Sequence, residues 1–361
     1  MAVLQNFVGG TLLGDLIVRP NFGAWTSERI YELSRFVQSG LIERNQFLAA
    51  SAGGTRTQLP MLTPIDPTSE RIDSSEVWGT SGAGYLSIQK VGSQDHVVSI
   101  YRRGFAYGTD DISKMGSGLA DPLGHVRDQL AAAVNKLNTT SARSVMEGAF
   151  GPIVADGVLQ NFAIDKTGGA APTAANYLAA GSVIEAKQLL GERGTDLTGM
   201  VMHSAVASYL EEQGYMQALV DGSTVFAGQG IGVGSGSGFA GRAFGMNVII
   251  DDQFGPLAGG LSGDVKKYPV YLAKGGVMQT ASQSDLRINY DRNILSFQDQ
   301  LAVDFHQCHT IPGVSWTSAT DNPTDAALAT STNYGASYTD LRNVGLVRLL
   351  VNTPYDPTTY A

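Results

Sequence analysis

The sequence predicts an α+β fold. Three observations lead there. A long helical period of apolar residues occupies 121–148, helix and strand patterns alternate through 173–252, and 268–316 is almost entirely strand pattern. Residues 1–25 are rich in small residues and carry Pro20 and Gly23, which predicts an irregular arm. In TSERIYELSRFVQSG, Thr26 or Ser27 supplies a cap, Ile30, Leu33 and Val37 share a face, and Gly40 stops a short amphipathic helix. Residues 51–84 carry several prolines and much Ser, Thr and Gly. They read as a long excursion, of a kind uncommon inside a compact domain unless it has a task. YLSIQKV and HVVSIYRRGFAYG then alternate as strands.

The long helix opens with Asp121 as cap and Pro122 at the first helical position. Leu123, Val126, Leu130, Val134 and Leu137 recur at spacings of three and four, and the pattern reaches Val145 and Met146. A loop over 151–172 leads to a helix at TAANYLAAGSVIEAKQLLGERG, a strand at TGMVMHS and a helix at AVASYLEEQG. After a glycine-rich segment comes the strand GMNVIIDD. YPVYLAKGGVMQT, DLRINYD and LAVDFHQCHTIPGVSW continue the strand pattern, PTDAALAT reads as a short helix, and VGLVRLLVN as the last strand.

Composition narrows the function. A net charge of −9 over 361 residues argues against wrapping nucleic acid with a basic surface. The single cysteine, Cys308, excludes an internal disulfide framework and a cysteine-based zinc site. The N-terminus has no secretory-signal pattern and no apolar run is long enough to span a bilayer, so a soluble protein is expected.

Chemistry is sparse. GSGFAG places Gly236, Gly238 and Gly241 in the spacing of a dinucleotide loop, but that loop must follow a strand and open a helix. Here more glycine precedes it and a turn and strand follow. His306, Cys308 and His309 lie in a strand pattern that sends His309 to the opposite face from the other two, leaving too few ligands for a closed zinc site. The adjacent pairs Asp110–Asp111 and Asp251–Asp252 diverge for the same reason and read as loop and strand-end residues. His203–Ser204 has no nucleophile elbow around it, and Arg102–Arg103 reads as a solvated or interface pair. No cofactor is expected.

FVQSGLIERNQFLAASAGGTRTQLPML, GLADPLGHVRDQLAAAVNK, FGMNVIIDDQFGP and HTIPGVSWTSATDNPTDAALATSTNY follow one another in that order. This order of segments resembles the major capsid proteins of tailed bacteriophages, with their Hong Kong 97-like fold. The resemblance implies an N-terminal arm (1–50), an extended loop (51–100), a peripheral domain (101–172 and 268–361) built on a spine helix at about 121–148, and an axial domain (173–267). It also implies a non-enzymatic subunit that assembles with itself as pentamers and hexamers into an icosahedral head around double-stranded DNA, contacted weakly. The virion is then its location, reached by assembly in the host cytoplasm, without a membrane. A separate scaffolding protein, a portal and a decoration protein are implied partners. Trp78, Tyr85, Arg102, Arg103, Gly236, Gly238 and Gly241 are the candidate inter-subunit contacts, the aromatics as apolar anchors and the glycines as a loop at the capsomer axis. Lys90 and Asn293 have the chemistry of a covalent crosslink, with no motif to single them out. The competing expectations are a cellular encapsulating shell and an α/β nucleotide enzyme using 173–267.

Overall fold

The structure is a computed structural model that describes residues 36, 39–49, 54–62, 93–110, 122–151, 157–168, 172–220, 223–224, 240–257, 266–283, 286–293 and 298–355. In chain order the strands begin with β1 (Ile42–Ala49), β2 (Arg56–Leu62), β3 (Ser93–Ser99), β4 (Tyr101–Asp110), β5 (Ala163–Asp165) and β6 (Leu197–Met202). They continue with β7 (Met216–Val220), β8 (Ser223–Thr224), β9 (Gly241–Ala243), β10 (Met246–Ile250), β11 (Tyr268–Lys274) and β12 (Met278–Gln283). The last are β13 (Arg287–Asn293), β14 (Gln298–Gln307), β15 (His309–Thr310), β16 (Val314–Trp316), β17 (Tyr334–Ala336) and β18 (Leu346–Val351). The α-helices are α1 (Pro122–Phe150), α2 (Ala180–Gln188), α3 (Ser204–Glu212) and α4 (Asp325–Leu328).

An eight-stranded mixed sheet, ordered β5-β18-β11-β6-β10-β9-β7-β8, forms the centre. Its inner strands are buried on both faces: all six residues of β18, Arg348 among them, and six of the seven in β11 are buried. That is the pattern of a sheet covered on both sides. The sheet crosses the 267/268 boundary drawn from sequence, because β11 and β18 pair directly with each other and β11 pairs with β6. The 3₁₀ turn Leu341–Val344 delivers the chain into β18 through Gly345, whose φ of 66° suits glycine.

Helix α1 is the spine. Its 29 residues make a rod of about 43 Å. Its first half places Leu130, Ala131 and Val134 against Val303 and Phe305 of β14, with Leu137 and Ile288 at the margin. Its second half places Ala142, Val145, Met146, Ala149 and Phe150 in the main core under the eight-stranded sheet. One helix therefore joins two cores. The side chains of Leu123 and Val126 lie outside the described residues. A second sheet, β13-β14-β4, is antiparallel throughout and ladders β4 to β14 over ten residue pairs, from Tyr101↔Gln307 to Asp110↔Gln298.

Several strands depart from the sequence reading, among them β5 inside the loop expected over 151–172, β7 ahead of the glycine-rich run, and the two described next. Residues 42–49, assigned to the arm, form β1, which pairs in parallel with β12 in the sheet β1-β12-β15. Leu41, Ile42 and Leu48 are buried by it. Residues 56–62, assigned to the loop excursion, form β2 and pair antiparallel with β3. The long helix expected over 173–194 is broken: a 3₁₀ turn at Ala174–Asn176, α2, and a second 3₁₀ stretch at Gly191–Asp196. The break falls where Tyr177 bridges to Asn352 instead of continuing the helical ladder. Most of the helix expected at 26–40 lies outside the described residues.

Candidate functional site

The β2–β3 hairpin docks on the body through one face. Leu59, Val98 and Ile100 pack with Leu48 of β1, Ala281 of β12 and Cys308. His96 lies on the same hairpin, opposite Leu59 in the β2–β3 register, and is 1% exposed. Its Nε2 is 2.6 Å from Thr310 Oγ1 and its Nδ1 is 3.1 Å from Ser337 Oγ. Val97 donates its backbone N–H to Ser315 Oγ at 2.9 Å. Burial lowers the His96 pKa to about 4. A groove of about 510 Å³ flanks this base, lined by Arg56, Gln58, Val97, Ser315, Trp316 and Thr317.

The two arginines of β4 have separate tasks. Arg103 is mostly buried: its guanidinium donates to Asp325 Oδ1 at 3.0 Å and to the Pro323 carbonyl at 2.8 Å, and sits 4.7 Å from the Tyr101 ring centroid. Asp325 also accepts from Ser141 of α1, so Arg103 helps hold α4 against the spine within the subunit. Arg102 faces solvent and pairs with Asp304 of the neighbouring strand at 2.6 Å. Only Arg102 of the pair is therefore available at the surface.

The cluster near 306–309 divides as the strand alternation requires. Cys308 is buried against the hairpin, and burial raises its thiol pKa to about 12. His309 turns towards the Tyr101 ring, 6.3 Å away, and burial holds its pKa near 4. Among the described residues no group of His, Cys, Asp or Glu is arranged to hold a metal. Asp251 and Asp252 follow β10. The carboxylate of Asp251 accepts from the Gln253 N–H, while that of Asp252 accepts from the Ser204 N–H at the start of α3. A second groove, of about 670 Å³, lies between α1 and this turn, lined among others by Asn135, Lys136, Thr139 and Gln253.

Gly241 is not in a loop. It opens β9 and pairs with Val248 on one side and Ala218 on the other. Phe244 and Gly245, both at positive φ, then turn the chain directly into β10. With a β-hairpin where a helix would have to start, the glycine spacing has no helix N-terminus to hold a phosphate. Gly236, Gly238, Trp78, Tyr85 and Lys90 lie outside the described residues. Asn293 closes β13.

What the described surface does offer is apolar. Phe47 is 82% exposed on β1, Ile184 66% on α2 and Tyr215 44% after α3. Phe47 was legible in principle: next to buried Leu48 on an extended strand it must face outward. Comparison with known proteins decides what this surface belongs to. The family model described as major capsid protein 13-like matches residues 123–346, more than half of the chain. The chain belongs to the Gp13-like family of major capsid proteins. This capsid protein is 25% identical over 346 residues to the major capsid protein of Bacillus phage SPP1, covering 94% of this chain and 97% of that one. Its fold is similar to a structure titled capsid of Ralstonia phage GP4, with a TM-score of 0.56, 11% identity and coverage of 90% and 92%. The tailed-phage resemblance drawn from the sequence is thus supported, and the chain is a structural virion component and not an enzyme.

Proposed function

We propose that this major capsid protein has the Hong Kong 97-like architecture and closes as pentamers and hexamers into an icosahedral head around double-stranded DNA. The observation that carries the proposal is the β2–β3 hairpin. Its strands are docked at their base on a small sheet, and residues 63–92 connect them at the other end. The part of this connection up to residue 84 belongs to the stretch 51–84, which is rich in Pro, Ser, Thr and Gly and poor in apolar surface of its own, so its ordering energy must come from neighbours. In this reading it lies in the extended loop (51–100), with 1–50 the arm, α1 the spine of the peripheral domain (101–172 and 268–361), and 173–267, which holds β6 and β10, the axial domain. Trp78 and Tyr85 anchor the loop on an adjacent copy, and the glycines at 236 and 238 let copies approach at the capsomer axis. Exposed Phe47 joins the contact set.

The partners follow from the same reading. The chain supplies the shell with copies of itself, while a separate scaffolding protein, a portal and a decoration protein complete the head in the host cytoplasm. The net charge of −9 keeps its affinity for packaged DNA weak. The test is electron microscopy of the purified chain, alone and with candidate scaffolding protein. Closed shells or capsomer rings are expected. Monomers alone under every assembly condition would overturn it.

A further inference from the structure

The hairpin that docks on the body does so through a histidine, and among the described residues its partners carry no counter-charge. His96 is held between the hydroxyls of Thr310 on β15 and Ser337 beyond β17, with Leu59 opposite it on β2. The groups around it are neutral. Thr310, Ser337 and Ser315 are hydroxyls, and Cys308, in the apolar cluster beside it, is kept as a thiol by burial. Among the described residues, burial is the cause of its displaced titration. Asp95 beside it on β3 is exposed. Elsewhere on β15, His309 faces Tyr101, with Arg103 over that ring and Asp325 favouring protonation of His309 electrostatically. A neutral imidazole donates to one hydroxyl and accepts from the other. An imidazolium would have both hydroxyls turn to accept, and would still be a buried cation without a carboxylate.

We infer that the base of the β2–β3 hairpin is a proton-operated joint, closed while His96 is neutral and lifted from the β1-β12-β15 sheet when His96 takes a proton. The lifting carries Leu59, Val98 and Ile100 away from Leu48, Ala281 and Cys308, leaving the spine and the eight-stranded sheet in place. The device goes beyond the assembly reading, since it concerns the subunit alone.

Cys308 is the natural reporter. It is the single cysteine, it is 1% exposed, and Leu59, Val98 and Ile100 of the hairpin segment are three of the five residues clustered on it. Its labelling by a dipyridyl disulfide, normalised at each pH to the urea-unfolded chain, measures the open fraction of the full-length protein. With the open-state histidine near 6.5 and the closed-state one near 4, the open fraction should rise about ten-fold per pH unit through that window and about 300-fold in total. Far-UV circular dichroism should stay constant over the same range. His96→Gln keeps a donor and an acceptor but does not titrate, so its labelling should be flat with pH. His309→Gln should retain the rise. Histidine C2-hydrogen exchange on the unmodified chain, read by mass spectrometry, gives the His96 titration without any variant. Labelling independent of pH, a rise that coincides with loss of circular dichroism, an unchanged slope in His96→Gln, or an ordinary titration of His96 near 6.5 would each overturn the joint.

Discussion

Two helical glycines should respond to alanine with opposite signs. Replacing glycine in a helix interior ordinarily stabilises it by about 1 kcal/mol, because alanine restricts the unfolded chain more. Gly181 in α2 has nothing within 4 Å of a built Cβ, so Gly181→Ala should gain about 0.4–1 kcal/mol. Gly148 in α1 is different. A Cβ there would come closer than 3.0 Å to the Leu328 carbonyl oxygen and to Tyr334 Cε2, and 3.2 Å from Tyr334 Cδ2. Neither neighbour yields easily. Tyr334 donates its hydroxyl to that same Leu328 carbonyl at 2.7 Å, and its ring meets Trp316 edge-on at 5.2 Å. Overpacking of this kind costs about 1–3 kcal/mol, and losing the tyrosine hydrogen bond adds about 1 kcal/mol. Set against the propensity gain, Gly148→Ala should destabilise by about 1–3 kcal/mol. Urea unfolding of both variants followed by circular dichroism, with an unchanged slope, measures the two values. A Gly148→Ala chain as stable as the parent would refute the close packing of α1 on the segment around α4.

Leu130→Ala should cost about 2–3 kcal/mol, the low part of the usual range, because its cluster with Val134, Val303 and Phe305 is small; an unchanged unfolding midpoint would show the face is not buried. Arg103→Met should lose about 1–3 kcal/mol, since it strips Asp325 of its guanidinium partner, whereas Arg102→Met at the surface should change stability by less than about 1 kcal/mol; thermal unfolding of the pair separates them. Stability should also depend on pH through His96 and His309. Both are lowered from 6.5 to about 4, so the unfolded chain binds protons first; the stabilisation is complete above about 6.5 and is lost as pH falls towards 4, by roughly 3 kcal/mol for each histidine. A pH-independent urea midpoint between 7 and 5 would contradict this. Phe47→Ser should leave the melting of the subunit unchanged and weaken its assembly, as judged by particle yield on a sucrose gradient, because the side chain is 82% exposed.

The long helix was legible almost to its ends, expected over 121–148 and found at Pro122–Phe150, because its apolar period is continuous and local. Strands such as β6, β11 and β18 were legible for the same reason, as mostly apolar runs broken at single positions such as Thr198 and Arg348. β1 was not. Arg44, Asn45 and Gln46 interrupt its apolar pattern, and its partner β12 lies more than two hundred residues away, so nothing nearby announces the pairing. β2 was hidden by Pro60 and the polar residues around it, which only the antiparallel register with β3 makes into a strand. At the candidate site, the divergence of Cys308 and His309 followed from alternation alone. The roles of His96 and Arg103 did not, because both depend on hydroxyls and carboxylates brought in from 310–337, far along the chain.

The position of β18 sets a schedule for the ribosome. This strand comes from the last part of the chain, yet it sits second in the eight-stranded sheet, between β5 and β11. Until Leu346–Val351 has left the exit tunnel, the edge of β11 that faces β18 is open, although β6 already borders its other edge. A nascent chain stalled before that point presents an unpaired apolar edge, the kind of surface that recruits chaperones or other nascent chains. The central sheet is complete only once Leu346–Val351 is available, so a copy that stops before that strand keeps the edge of β11 unpaired.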